Sequence, residues 1–154
     1  MKLLVKNISK HIGKKEILKD ISIELESGKV YGFVGKNGSG KTMLFRALSG
    51  LMDISSGKIF LDNKELHKDM RVLENVGIVI ENAGLYPELT GFNNLKMLSK
   101  LNKKIDDEQI RKIIKEERER GAIVLIASHN KEDIEVLADK VFSISNGMLK
   151  ESEE

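Results

Sequence analysis

Gly35-Lys36-Asn37-Gly38-Ser39-Gly40-Lys41-Thr42 decides the fold, because its residue types, their spacing and their flanks all point to one ligand chemistry. It fits G-x-x-x-x-G-K-[ST], the pattern of a phosphate-binding loop when a strand runs into it and a helix leaves it. Both flanks are present. Val30-Tyr31-Gly32-Phe33-Val34 predicts a buried strand, and Thr42 to Leu51 predicts a helix, with Leu44, Leu48 and Leu51 at helical spacing and Gly50 near the stop.

The letters follow from the physics. Gly35, Gly38, Ser39 and Gly40 let the backbone close around a polyphosphate, so that successive N–H groups, that of Asn37 among them, turn toward negative oxygens. The helix behind adds its unsatisfied amides and the positive end of its dipole. Lys41 reaches the outer phosphates as a point charge, and the Thr42 hydroxyl is placed to ligate magnesium. The expected ligand is a nucleoside triphosphate.

Composition narrows the rest. A chain of 154 residues with 40% apolar content suits one domain with a real core. Its 26 basic and 24 acidic residues leave a formal charge of +2, too little excess for counterion-driven binding of nucleic acid, so no nucleic-acid partner is expected. Without cysteine there is neither a disulfide framework nor a thiolate metal site, which is compatible with a reducing cytoplasm. No apolar run approaches a membrane span, and Met1 to Lys6 turns polar too soon for a signal peptide. Any membrane role must therefore come through a partner.

Leu3 to Ile8 predicts a first strand, His11 to Lys15 a turn, and Ile17 to Leu25 a second strand in which Ile21, Ile23 and Leu25 alternate with polar residues. After the loop and its helix, Lys58 to Asn63 predicts another strand with its turn. Val76 to Asn82 predicts a buried strand ending in Glu81-Asn82, and Leu95 to Leu101 and the stretch from Asp106 to Arg120 predict helices, the second opened by an Asp106-x-x-Gln109 capping box. Ile123 to Asn130 is a buried strand with His129 at its carboxyl end, Lys131 to Asp139 a helix, and Val141 to Lys150 a hairpin turning at Asn146-Gly147. The last residues are acidic and are expected to form a solvated tail.

This order of elements resembles the ATP-binding subunits of ABC transporters. The antiparallel strands before the loop, Leu48-Ser49-Gly50-Leu51 at the helix end and Ser56-Gly57-Lys58-Ile59 opening a strand are similar to the first third of such a cassette. The resemblance makes Glu81 the residue of the Q-loop, where it replaces the usual Gln and approaches magnesium directly or through water, a form similar to the bacteriocin-immunity and peptide-antibiotic exporter branch. It makes His129 the H-loop histidine that contacts the terminal phosphate, so Glu81 and His129 are the implied catalytic residues. Ile12 stands where the family often stacks an aromatic on adenine. The implied cofactors are ATP and Mg2+, and the implied partners a transmembrane permease subunit and a second ATP-binding subunit. The implied location is cytoplasmic, peripheral at the inner face of the cell membrane through the permease.

Three family features are missing between Leu95 and Ile123: the signature motif, the Walker B strand ending in Asp-Glu, and the D-loop. Leu48-Ser49-Gly50 begins like a signature and Ile59-Phe60-Leu61-Asp62 has the form of a Walker B, but both lie elsewhere in the order of elements. The resulting expectation is an α/β P-loop NTPase core, a parallel sheet flanked by helices, with an N-terminal antiparallel β subdomain, a reduced helical subdomain and loss of the Walker B strand. It is a single incomplete ATP-binding domain over residues 1–154: 1–81 hold the antiparallel sheet and loop core, 82–121 a remnant helical subdomain, and 122–154 the H-loop strand, helix and hairpin. If the gap closes, the H-loop strand pairs with the Q-loop strand. Three functions compete: an ABC-type Mg-ATP-binding protein with weak or absent hydrolysis, a regulatory or degenerate partner docking on a permease through Glu81 to Leu95, and a small P-loop phosphotransferase. The last usually needs an arginine-rich lid, and Arg118 and Arg120, interleaved with glutamates, read as a solvated helix face.

Overall fold

The structure, a computed structural model, describes residues 1–73, 107–129 and 131–151. Two four-stranded sheets organise them. The first joins β1 (Lys2–Ile12), β2 (Lys15–Glu26), β4 (Ser56–Leu61) and β5 (Lys64–Glu65) in the order β2-β1-β4-β5, antiparallel throughout. The second has the order β6-β3-β7-β8, built from β3 (Lys29–Val34), β6 (Ile123–Ser128), β7 (Lys140–Ser145) and β8 (Met148–Glu151). There β3 runs parallel to both β6 and β7, and β8 folds back antiparallel on β7. Helix α1 (Lys41–Ser49) follows β3, α2 (Asp107–Glu119) precedes β6, and α3 (Lys131–Glu135) connects β6 to β7.

Each sheet obeys its burial pattern. In β2, Ile21, Ile23 and Leu25 are buried while Ser22, Glu24 and Glu26 are exposed, as a sheet with one wet face requires. In β3, Val30 to Phe33 are all buried, because this strand is covered on both faces. On one face Phe33 meets Phe45 of α1 edge to face, with centroids 5.2 Å apart, and stacks on Phe142 of β7 at 5.4 Å. On the other, Gly32 lies under α3 so closely that a Cβ would run into the Ile134 side chain. Apolar residues of both sheets and of α1 thus form one core.

Several expectations shift by a residue or more. The first hairpin turns on Gly13-Lys14 alone, and His11 and Ile12 belong to β1, paired with Glu16 and Lys15. Helix α1 ends at Ser49 because Gly50 adopts φ 81° and donates its N–H to the Ala47 carbonyl, a left-handed cap that glycine accepts without strain. Leu51 is thereby turned out of the helical face and is 63% exposed. The helix predicted to reach Asp139 stops at Glu135. The reason is Asp139 itself, whose carboxylate accepts the Val30 N–H at 2.7 Å while its own N–H donates to the Val30 carbonyl at 2.8 Å. The strand Val76 to Asn82, the stretch Leu85 to Leu95, the helix Leu95 to Leu101, Asp106 of the capping box and the tail from Ser152 lie outside the described residues. Among the described residues β6 pairs with β3.

Arg118 is not simply solvated. Its guanidinium pairs with Asp139 at 2.8 Å and donates to the Gly28 carbonyl at 3.2 Å, tying α2 to the amino end of β3. Among the described residues Arg120 pairs along its own segment, with Glu117 at 2.6 Å. Because Arg118 is half exposed, Arg118→Ala is expected to cost about 1 kcal/mol in urea denaturation, and an unchanged midpoint would remove the clamp from the account. At the neighbouring turn, the Lys29 hydrogen bond at 2.6 Å, and then its charge, hold the Glu26 carboxyl below its ordinary value and raise Lys29. The Glu26 contribution is present above its unfolded pKa and fades as pH falls through the lowered one. That of Lys29 fades as pH rises through its raised one. Both side chains are about half exposed, so salt screens the effect.

Candidate functional site

The loop from Gly35 to Gly40 leaves the carboxyl end of β3, where ligands collect in parallel sheets. Its turn is closed by the Ser39 N–H donating to the Lys36 carbonyl at 3.1 Å, and α1 starts at once with the Leu44 N–H on the Gly40 carbonyl at 2.8 Å. Gly38 (φ 79°) and Gly40 (φ 112°) supply conformations that L side chains resist, and nothing lies within 4 Å of where a Gly38 Cβ would stand. That open side leaves room for a ligand to approach the backbone. Lys41 is 4% exposed, and its Nζ donates to the carbonyls of Gly35 at 2.5 Å and Lys36 at 3.1 Å. The ammonium is therefore held across the mouth of the loop.

Register brings in the histidine. β3 and β6 pair in parallel with Val34 opposite Ser128, and the Gly35 N–H reaches the Ser128 carbonyl at 3.4 Å. Gly35 and His129 are the next residues on neighbouring strands, so the loop begins beside an exposed His129. Asn37 is exposed and Thr42 half-buried in the first turn of α1. Ile12, at the far end of β1, is 51% exposed. Glu81 lies outside the described residues.

The decoys resolve on geometry. Ser49 is buried and its hydroxyl donates to the Arg46 carbonyl at 3.1 Å, while Gly50 caps the helix, so Leu48-Ser49-Gly50 is a helix end. Asp62 sits in the turn between β4 and β5, where its carboxylate accepts the Lys2 N–H at 2.8 Å. It belongs to the antiparallel sheet, away from the strand ends that carry the loop.

Sequence reading missed what stands behind the loop. The Asn146-Gly147 turn was visible as a hairpin signal, but not its contact: the Gly147 N–H donates to the Ser39 carbonyl at 2.9 Å, and the Gly147 carbonyl accepts the Lys19 N–H at 2.9 Å. A Cβ at Gly35 would strike the Ile144 carbonyl. No local pattern encodes a contact between residues so far apart in the chain.

These residues fit a magnesium-bound nucleotide. The Ser39 hydroxyl is buried without a hydrogen-bond partner among the described residues, beside a loop of amides and one buried ammonium. Among the described residues no three His, Cys, Asp or Glu side chains converge, and of these residues the Thr42 hydroxyl, together with phosphate oxygens, would hold the metal in the usual manner of magnesium. When bound, the ion would supply charge neutralisation between phosphates.

A strand, glycine loop and helix at the carboxyl end of a parallel sheet, with an antiparallel sheet packed against the same helix, define a P-loop nucleotide-binding protein. The ABC transporter family model matches residues 18–152. The uncharacterized ABC transporter ATP-binding protein YybJ of Bacillus subtilis (strain 168) is 33% identical, with 97% of this chain and 95% of that protein covered. The chain belongs to the ATP-binding subunits of ABC transporters. That alignment runs over 207 positions against a chain of 154 residues, so part of the interior of YybJ has no counterpart here. YdbJ of the same organism, also an uncharacterized ABC transporter ATP-binding protein, is 38% identical over 73% of this chain and 37% of its own length. The fold is that of solved cassettes: cbiO1 from Clostridium perfringens, part of the ABC transporter complex cbiONQ, superposes with a TM-score of 0.69 at 19% identity, covering 96% of this chain and 86% of that one.

Proposed function

We propose that the chain binds Mg-ATP through the loop from Gly35 to Thr42 and hydrolyses it poorly or not at all. The observation that carries this reading is the pairing of β3 with β6, which sets Gly35 beside His129, in a chain whose sequence holds no Asp-Glu strand end and no signature. Lys41 and His129 offer positive charge and a hydrogen-bond donor at the phosphates, and Thr42 with Glu81 offers ligands for magnesium. Hydrolysis also needs a carboxylate that positions water, and a cassette dimer needs a signature from the opposite subunit. A homodimer of this chain lacks half of each composite site. Steady-state phosphate release from the purified chain is expected to match the rate in buffer, and turnover that disappears in Lys41→Ala would sink the claim of impaired hydrolysis.

A second reading, a partner docking on the permease of an exporter at the inner face of the membrane, has its own support. Leu51 and Val72 are exposed apolar residues, and the Val72 Cα lies 3.2 Å from where a Cβ on Gly50, the neighbour of Leu51, would stand. Among the described residues no helix is long and apolar enough to cross a membrane. Pull-down with a neighbouring permease, lost in Leu51→Asp, supports it; capture that ignores the substitution counts against it. The phosphotransferase reading finds less support in Arg118. Arg118 is engaged at the amino end of β3, about 20 Å from the loop by strand length.

A further inference from the structure

Each peptide unit is planar and trans, so its carbonyl and its N–H point in opposite directions. Holding one therefore aims the other. The peptide between Ser39 and Gly40 is held: its carbonyl accepts the Gly147 N–H at 2.9 Å. Its N–H, that of Gly40, then points away from the hairpin turn. Gly40 takes φ 112° in this arrangement, a conformation that glycine adopts without a side-chain penalty. Gly147 is anchored in turn, because its carbonyl accepts the Lys19 N–H of β2 at 2.9 Å. It sits at φ 78°, and a Cβ on it would run into the Ile17 carbonyl, while the Gly147 Cα lies 3.5 Å from where a Gly40 Cβ would stand. The chain of contacts is backbone throughout: β2 holds the hairpin turn, and the turn holds the loop.

We infer that Gly147 is a positioning residue for the phosphate-binding loop, fixing the Ser39–Gly40 peptide so that the Gly40 amide is presented to a nucleotide polyphosphate before it binds. This rests on the nucleotide reading proposed above. Gly147 does not touch the ligand, so its effect is on presentation, through the cost of reordering a loop that has lost its brace.

The test titrates Mg-ATP against the full chain by calorimetry, in wild type, Gly147→Ala, Lys41→Ala and Arg118→Ala. Gly147→Ala is expected to weaken binding about tenfold, the loss of one well-aimed amide to a charged acceptor. Arg118→Ala lowers stability without contact to the loop and is expected to keep wild-type affinity. Equal affinity in Gly147→Ala and wild type overturns the inference, and so does equal weakening in Arg118→Ala below both melting temperatures, which would make the loss one of general stability. If wild type shows no Lys41-dependent binding, the nucleotide reading fails and takes this inference with it, whereas intact binding that ignores Gly147 sinks the inference alone. Should Gly147→Ala not fold, amide exchange on wild type decides. Mg-ATP is expected to slow exchange at Gly147 more than at Gly121, whose N–H bonds the Arg118 carbonyl at the far end of the sheet. Equal slowing at both overturns it.

Discussion

Lys41→Ala is expected to weaken Mg-ATP binding about a hundredfold or more, the order set by losing a charge-assisted contact of about 3 kcal/mol. The Nζ of Lys41 is already inside the loop, donating to the Gly35 and Lys36 carbonyls, so little side-chain entropy remains to be lost when phosphates arrive. Removing it leaves those two carbonyls short of a donor, a cost to the free protein of about 1 kcal/mol that a thermal melt would show as a small shift. The two readouts separate binding from folding. Calorimetric titration of both proteins at one temperature checks the expectation, and indistinguishable, weak binding in the two would mean that the loop keeps its shape without its ligand.

Phe33→Ala is expected to lower stability by about 3–5 kcal/mol, the range for deleting a buried aromatic from a packed core. Phe33 is fully buried and touches two other rings, Phe45 of α1 and Phe142 of β7, so the cavity would open where the loop strand, its helix and the hairpin strand meet. Against a total of about 5–15 kcal/mol for a domain, such a loss populates the unfolded state under mild denaturant. A urea midpoint within error of wild type would show that this junction tolerates a hole and that the core is less tightly coupled to the loop than its contacts suggest.

Much of the fold was readable before any coordinates. Val30 to Val34 announced a strand buried on both faces by being apolar without alternation, and Ile21, Ile23 and Leu25 announced one wet face by alternating. Asn146-Gly147 announced a hairpin, since only residues at ease with positive φ make that tight turn, and both adopt it. Element ends were less readable. Asp139 ends α3 early because its carboxylate and N–H both engage Val30, a partner 109 residues away. Arg118 is exposed, as a solvated helix face requires, but its partners Gly28 and Asp139, distant in sequence, were not readable. The roles of Glu81 and of the segment to Leu95 stay where the sequence put them, outside the described residues.

For the site, the division follows the range of the physics. The motif from Gly35 to Thr42 is local chemistry: glycines for positive φ, a lysine for charge and a hydroxyl for a metal, written in consecutive residues and sufficient by themselves to name a phosphate loop. The absent signature and Walker B were likewise readable, because a missing motif is a property of the string. Only the tertiary structure decided what surrounds the loop. Parallel pairing of β3 with β6 sets His129 beside Gly35, and the turn at Gly147 takes hold of Ser39. Those contacts join residues about a hundred positions apart through backbone hydrogen bonds, which every residue but proline can donate and which therefore leave no signature in side-chain sequence.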